Sequence, residues 1–169
     1  MARARPSFAG MQPIDATELM PDLYQGSAPP PGPTLAAWGF DAVVLCAREY
    51  QPVSALFPGI RVIRAQLDDS GAPMTNREWE DAVRAASQTV NVYLRGARVL
   101  VTCAMGCNRS GLVAGLVMHM LTGLSGQQIV RQIRLCRSGA LSNQWFAGAL
   151  NRLPARQKRL RRKAEEELW

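Results

Sequence analysis

A chain of 169 residues, 47% of them hydrophobic and with aromatic residues spread from Phe8 to Trp169, has the size of one ordinary globular domain with short extensions. A domain of that length buries roughly 70% of its unfolded surface, so neither a disulfide framework nor a structural metal is needed to hold it. The net charge of +7 is uneven: +2 precedes residue 14, +3 follows from Pro154, and residues 14 to 153 carry the remaining +2, which argues against the fold itself being a nucleic-acid platform.

Along the chain, the opening Met1 to Pro6 has two arginines but no apolar stretch after it, so no secretory signal is expected and residues 1–13 read as a flexible extension. Leu23 to Gln25, ahead of Gly26 and Ser27, reads as a short strand entering a turn. Thr34 to Trp38 suggests a brief helix that Gly39 ends. Asp41 to Cys46 and Arg61 to Leu67 are compact β-branched runs with strand character. Thr75 to Leu94 sets Trp79, Val83, Ala86, Val90 and Leu94 at helical spacing, with Thr75 and Glu78 as a capping box. Arg98 to Thr102 is another strand, and helices follow at Arg109 to Leu121, Ser125 to Cys136 and Ser142 to Leu153. Alternating strands and helices predict an α/β domain over residues 14–153, with a largely parallel twisted sheet flanked by helices.

The longest nearly uncharged apolar stretch, Gly111 to Leu124, has 14 residues. A membrane span needs about 20, so this stretch reads as a buried core helix. Among the cysteines, Cys103 and Cys107 are four apart, while Cys46 and Cys136 are distant in sequence. With His119 the only histidine, no grouped ligand set for zinc is present. Reduced thiols in a cytoplasm are the expectation. Residues 154–169 form a basic tail with helical character, and two readings of Arg156 to Lys163 stand: a solvated helix end, or a segment that meets RNA or another polyanion.

The segment with chemical content runs from Val99 through Cys103 to Gly111: a buried strand, a tight loop bracketed by Cys103 and Arg109, then a helix. A loop turning directly into a helix N-terminus aims backbone N–H groups at one point, where the helix dipole adds positive potential, and so makes a phosphate site. The amides of Ala104, Met105, Gly106, Cys107, Asn108 and Arg109 are the candidate cradle. Gly106 can adopt backbone angles closed to other residues. A cysteine at the mouth of such a site has its thiolate stabilised by those amides and by the guanidinium. The planar fork of Arg109 can hold two phosphoryl oxygens at once, and Ser110 can donate a hydrogen bond to the sulfur.

Cys103, five residues, Arg109 and Ser110 resemble the Cys-x5-Arg-Ser/Thr signature of the protein tyrosine phosphatase superfamily. Leu23 to Ser27, Gly39 to Leu45 and Ala140 to Phe146 are similar to dual-specificity phosphatase segments in the family order, so the resemblance covers residues 14 to 153. It implies a catalytic domain hydrolysing phosphate monoesters through a thiophosphate on Cys103, with Arg109 clamping the phosphoryl group and no metal or organic cofactor. It also implies a general-acid aspartate on the loop Leu67 to Gly71; Asp69 is the choice by its distance to Trp79, with Asp68 as fallback. One departure is Thr102, where the family usually has histidine; this predicts a working nucleophile whose thiolate is held less strongly. Cys107 and Cys46 are considered as redox partners of Cys103, with a small loop residue the preferred reading of Cys107.

Because Ala104, Met105, Cys107 and Asn108 carry no charge, the resemblance implies a phosphoprotein substrate, phosphotyrosine first and phosphoserine or phosphothreonine with it. Asn108 before the arginine also resembles the loop of RNA 5'-triphosphatases in the same superfamily. A phosphate-binding module without turnover is the third reading.

Overall fold

The computed structural model describes residues 13–156. The extension read over residues 1–13, apart from its last residue, and the basic tail beyond Arg156 lie outside the described residues. The described residues form five strands and five α-helices in the order β1 (Thr17–Met20), β2 (Leu23–Ser27), α1 (Thr34–Ala37), β3 (Ala42–Ala47), β4 (Arg61–Leu67), α2 (Asn76–Tyr93), β5 (Val99–Cys103), α3 (Arg109–Thr122), α4 (Gly126–Cys136) and α5 (Gln144–Asn151). The sheet runs β1-β2-β5-β3-β4, with every neighbouring pair parallel except β1 and β2. The largely parallel sheet is thus present. Strand β1 goes beyond the sequence reading: of its four residues only Leu19 is buried, too little apolar content to signal a strand.

β3 and β5 are buried at every position, as parallel strands covered on both faces must be. On one face Val44, Cys46, Ile63, Ala65, Val101 and Cys103 pack under helices α2 to α5. On the other, Val43, Leu45 and Leu100 meet Leu35, Phe40, Phe57 and Ile60. Helix α3 is apolar nearly all round, and its residues from Arg109 to His119 are all buried. Each large side chain so buried contributes roughly 1.5–3 kcal/mol, so α3 is pinned at the centre and the loop at its N-terminus sits on a rigid base. No helix among the described residues is long and apolar enough to cross a membrane.

Helix α2 has the capping box expected of Thr75 and Glu78, with both reciprocal hydrogen bonds formed. Its buried residues, however, are Glu78, Ala82, Ala85, Ala86, Thr89 and Val92, while Leu94 is 70% exposed. Small residues let α2 approach β4 and α3 closely, and bulkier Trp79, Val83 and Val90 pack at the margins of that contact. Helix α5 is shorter than Ser142 to Leu153, because Asn143 caps it by accepting from Trp145 N.

Candidate active site

The loop of residues 104–108 leaves the C-terminal end of β5 and enters α3, and its carbonyls face protein donors. Arg137 Nη2 lies 3.4 Å from Met105 O, Gln25 Nε2 lies 3.0 Å from Gly106 O and 3.1 Å from Cys107 O, and Leu141 N donates to Cys107 O at 3.2 Å. In a trans peptide the following N–H points opposite the carbonyl. Holding these three carbonyls outward therefore turns the amides of Gly106, Cys107 and Asn108 toward the concave side, at the N-terminus of α3. Arg137 is itself fixed by Asp15, whose oxygens lie 2.8 and 2.5 Å from its two terminal nitrogens. The hydrogen bond from Arg137 holds the Asp15 carboxyl below its usual range.

Gly106 has φ +66°, and a methyl on it would stand 2.4 Å from Gly26 C and 2.5 Å from Ser27 N. Glycine is therefore required twice over, for the left-handed backbone and for the close approach to β2. Leu141 is a bulky residue held at φ 57°. Such a conformation costs roughly 1–2 kcal/mol, and here it delivers the Leu141 amide to Cys107 O.

Cys103 Sγ is 3.3 Å from Ser110 Oγ, and both residues are buried. Arg109 is buried too, with Nη1 2.6 Å from Glu49 Oε2 and Nη2 2.7 Å from Glu49 Oε1; Nη1 also donates to Leu67 O at 3.2 Å. Three of the five guanidinium hydrogens are thus engaged. The buried Nε has no acceptor among the described residues. Nε–H and the remaining Nη2 hydrogen lie along one edge of the guanidinium, in the parallel geometry that suits two oxygens of one phosphoryl group. The hydrogen bond from Arg109 keeps the Glu49 carboxyl below its ordinary range. Burial works against the charge of Arg109, but its bonds to Glu49 and the charges of Cys103 and Asp69 outweigh it.

Asp69 lies against the same loop. Its Oδ2 accepts from Asn108 Nδ2 at 3.1 Å and its Oδ1 from Asn143 Nδ2 at 2.7 Å. Asn108 is fixed at its other end, where Oδ1 accepts from Asn143 N at 2.9 Å and Ser142 Oγ at 3.1 Å. Trp145 Nε1 donates to Gly71 O at 2.9 Å and so ties α5 to the aspartate loop. Asp68 makes no such contact with the loop among the described residues: its Oδ1 accepts from Asp69 N, and its own N donates to Glu78. Ala104 and Met105 are exposed at the rim, Met105 by 76%.

The side chains of the remaining residues singled out from the sequence bond elsewhere. Thr102 Oγ1 donates to Val44 O at 2.9 Å, across the sheet rather than into the loop. Cys107 Sγ turns back to Met105 O at 3.4 Å. Cys46 is fully buried one strand from Cys103, and burial pushes its thiol well above the ordinary value, which leaves it a poor nucleophile. All four cysteines are free.

Glu49, Gln25, Asn143, Trp145 and the pair Asp15 and Arg137 were not singled out as site residues in the sequence. Gln25 carried a signal there: an uncharged polar residue within a short strand pattern, where a buried amide needs partners.

No protein-family model matches the sequence, and no curated relative matches it. Among solved structures, Tk-PTP in its active form is 23% identical, with 85% of this chain and 98% of that chain covered at a TM-score of 0.70. Human DUSP28 is 23% identical, over 84% and 94% of the two chains, at 0.67. A mouse putative dual specificity phosphatase complexed with zinc tungstate is 26% identical, over 82% and 86%, at 0.66.

Proposed function

We propose that this chain, which belongs to the dual-specificity branch of the cysteine-dependent protein tyrosine phosphatase superfamily, hydrolyses phosphate monoesters on proteins through a thiophosphate on Cys103. The observation that carries this reading is the convergence of Cys103, the free edge of Arg109 and the Asn108-tethered carboxylate of Asp69 on one loop. In the first step the Cys103 thiolate attacks phosphorus: an S–P bond forms, the ester P–O bond breaks, and Asp69 gives its proton to the departing oxygen. In the second, water attacks phosphorus while Asp69 takes its proton, the S–P bond breaks, and Ser110 receives the returning thiolate with a hydrogen bond. Negative charge on the equatorial oxygens is met throughout by the loop amides and by Nε–H and Nη2–H of Arg109.

Phosphotyrosine, with phosphoserine or phosphothreonine beside it, is the substrate class favoured by a loop with no charged side chain among Ala104, Met105, Cys107 and Asn108. A reducing cytoplasm is the compartment that keeps such a thiolate usable.

The test is hydrolysis of p-nitrophenyl phosphate in chelator and reductant by wild type, Cys103→Ser and Asp69→Asn. Turnover lost in Cys103→Ser and reduced roughly 10²–10⁴-fold in Asp69→Asn is the expected result. Phosphate binding with no turnover in any of the three, on this ester or on phosphopeptides, would replace the enzyme with a binding module. Turnover confined to 5'-triphosphorylated RNA would replace the substrate class.

A further inference from the structure

A loop that turns its amides onto an anion must turn its carbonyls into the protein, and each buried carbonyl then needs a donor. In this chain one side chain answers two of them. Gln25, in the middle of β2 and fully buried, directs Nε2 at Gly106 O (3.0 Å), Cys107 O (3.1 Å) and Ser110 Oγ (3.2 Å). The amide orientation follows from its acceptors: turned over, it would press its own oxygen against two carbonyl oxygens. Its Oε1 has no donor among the described residues, so the contact is built around the nitrogen.

The consequence falls on Ser110. A hydroxyl has one hydrogen and two lone pairs. Gln25 Nε2 has two hydrogens for these three acceptors. With one shared between the adjacent carbonyls, the other goes to Ser110 Oγ, whose own hydrogen then turns to Cys103 Sγ, 3.3 Å away. Thr102, directly before the nucleophile, does not share this task, since its hydroxyl goes to Val44 O on β3. Register places Gln25 for it: β2 pairs in parallel with β5, Gln25 opposite Val101 and Ser27 opposite Cys103, so Gln25 sits below the loop on the face that α3 covers.

We infer that Gln25 is a positioning residue that anchors the phosphate loop and fixes the Ser110 hydroxyl as a donor to the Cys103 sulfur. Its catalytic meaning rests on the phosphatase reading above; its geometric content does not. Accordingly the test reads the sulfur directly. The rate at which iodoacetamide alkylates Cys103 at pH 6, followed at that residue by peptide mass, is compared in wild type, Gln25→Met, Ser110→Ala and the double variant, alongside p-nitrophenyl phosphate turnover in all four.

Each single variant is expected to slow alkylation about three- to ten-fold, as loss of a hydrogen bond to a thiolate implies, and the double variant to be no slower than the slower single. A wild-type rate in Gln25→Met, or losses that multiply in the double variant, overturns the inference. Should Gln25→Met lack a cooperative thermal transition, Gln25→Asn, which keeps the amide but falls one methylene short, is put through the same cycle with the same criteria. Absence of turnover in the wild type with the alkylation pattern intact would sink the phosphatase reading and leave the Gln25 assignment standing.

Discussion

Glu49 and Arg109 meet through two hydrogen bonds, 2.6 and 2.7 Å long, at the end of the guanidinium, while the buried Nε has no acceptor among the described residues. A guanidinium gripped at one end cannot pivot, so the other edge is preorganised for an oxyanion without reorganisation during the reaction. Glu49 reaches this position from the segment after β3, sixty residues from its partner.

The first prediction concerns that grip. Glu49 is 57% exposed, which limits the pair's contribution to stability to about 1 kcal/mol or less. Glu49→Gln is therefore expected to shift Tm by only about 2–4 °C, while kcat/KM falls by about ten-fold through loss of Arg109 alignment. Thermal melts and steady-state kinetics on the same samples decide it; a melting shift with unchanged kcat/KM would refute the orienting role.

The second concerns Asn143, which holds Asp69 Oδ1 at 2.7 Å. A general acid matters most where the leaving oxygen is most basic. Asn143→Ala is expected to slow phenyl phosphate hydrolysis more than p-nitrophenyl phosphate hydrolysis, in the same sense as Asp69→Asn and to a smaller degree. Equal losses on the two esters would show that Asn143 serves only the fold.

The third is the acid limb of stability. Asp15 is lowered by its hydrogen bond from Arg137 and Glu49 by that from Arg109; burial pushes Glu78 up, but hydrogen bonds from Thr75 and Asp68 prevail and its carboxyl too is lowered. A carboxyl whose folded value is below its unfolded one binds fewer protons in the folded state. Its stabilisation is complete above the unfolded value, about 3.9–4.3, and is lost as pH falls through the folded value. Tm is expected to stay level from pH 7 to 5 and then decline below about pH 4.3, with Asp15→Asn flattening part of that decline. An unchanged slope in Asp15→Asn would count against the Arg137 pair.

The fourth is Gly106→Ala. The left-handed backbone at φ +66° alone costs about 1–2 kcal/mol with a Cβ, and the added methyl would also meet the β2 backbone at 2.4–2.5 Å. The loop is expected to leave β2, so that inorganic phosphate binding measured by calorimetry weakens by more than ten-fold, a loss of more than about 1.4 kcal/mol. Binding within two-fold of wild type would mean that the cradle does not depend on this packing.

Much of this molecule was legible before any tertiary contact was known, because local physics dictated it. β-branched runs, the capping box at Thr75 and Glu78, the apolar helix after Arg109 and the Cys103 to Ser110 signature all act over a few residues, and each appears close to where the sequence predicted it. On α2 the helical spacing of Trp79, Val83, Ala86 and Val90 is matched by their packing on the core, whereas Leu94 is exposed and the deepest positions are the small Ala82, Ala85 and Ala86. Periodicity counts apolar residues, while close packing against β4 and α3 favours small ones.

Element order, the parallel sheet and the loop built around Cys103 and Arg109 follow from local sequence patterns. The distant groups that complete that loop come from folding alone: Glu49 on the guanidinium, Gln25 and Arg137 on the carbonyls, and Asn143 on Asp69. Residues 60 to 81 apart in sequence, such as Glu49 with Arg109 and Gln25 with Gly106, leave no local periodicity, since their contact depends on sheet register and on where each connecting segment crosses the strand ends.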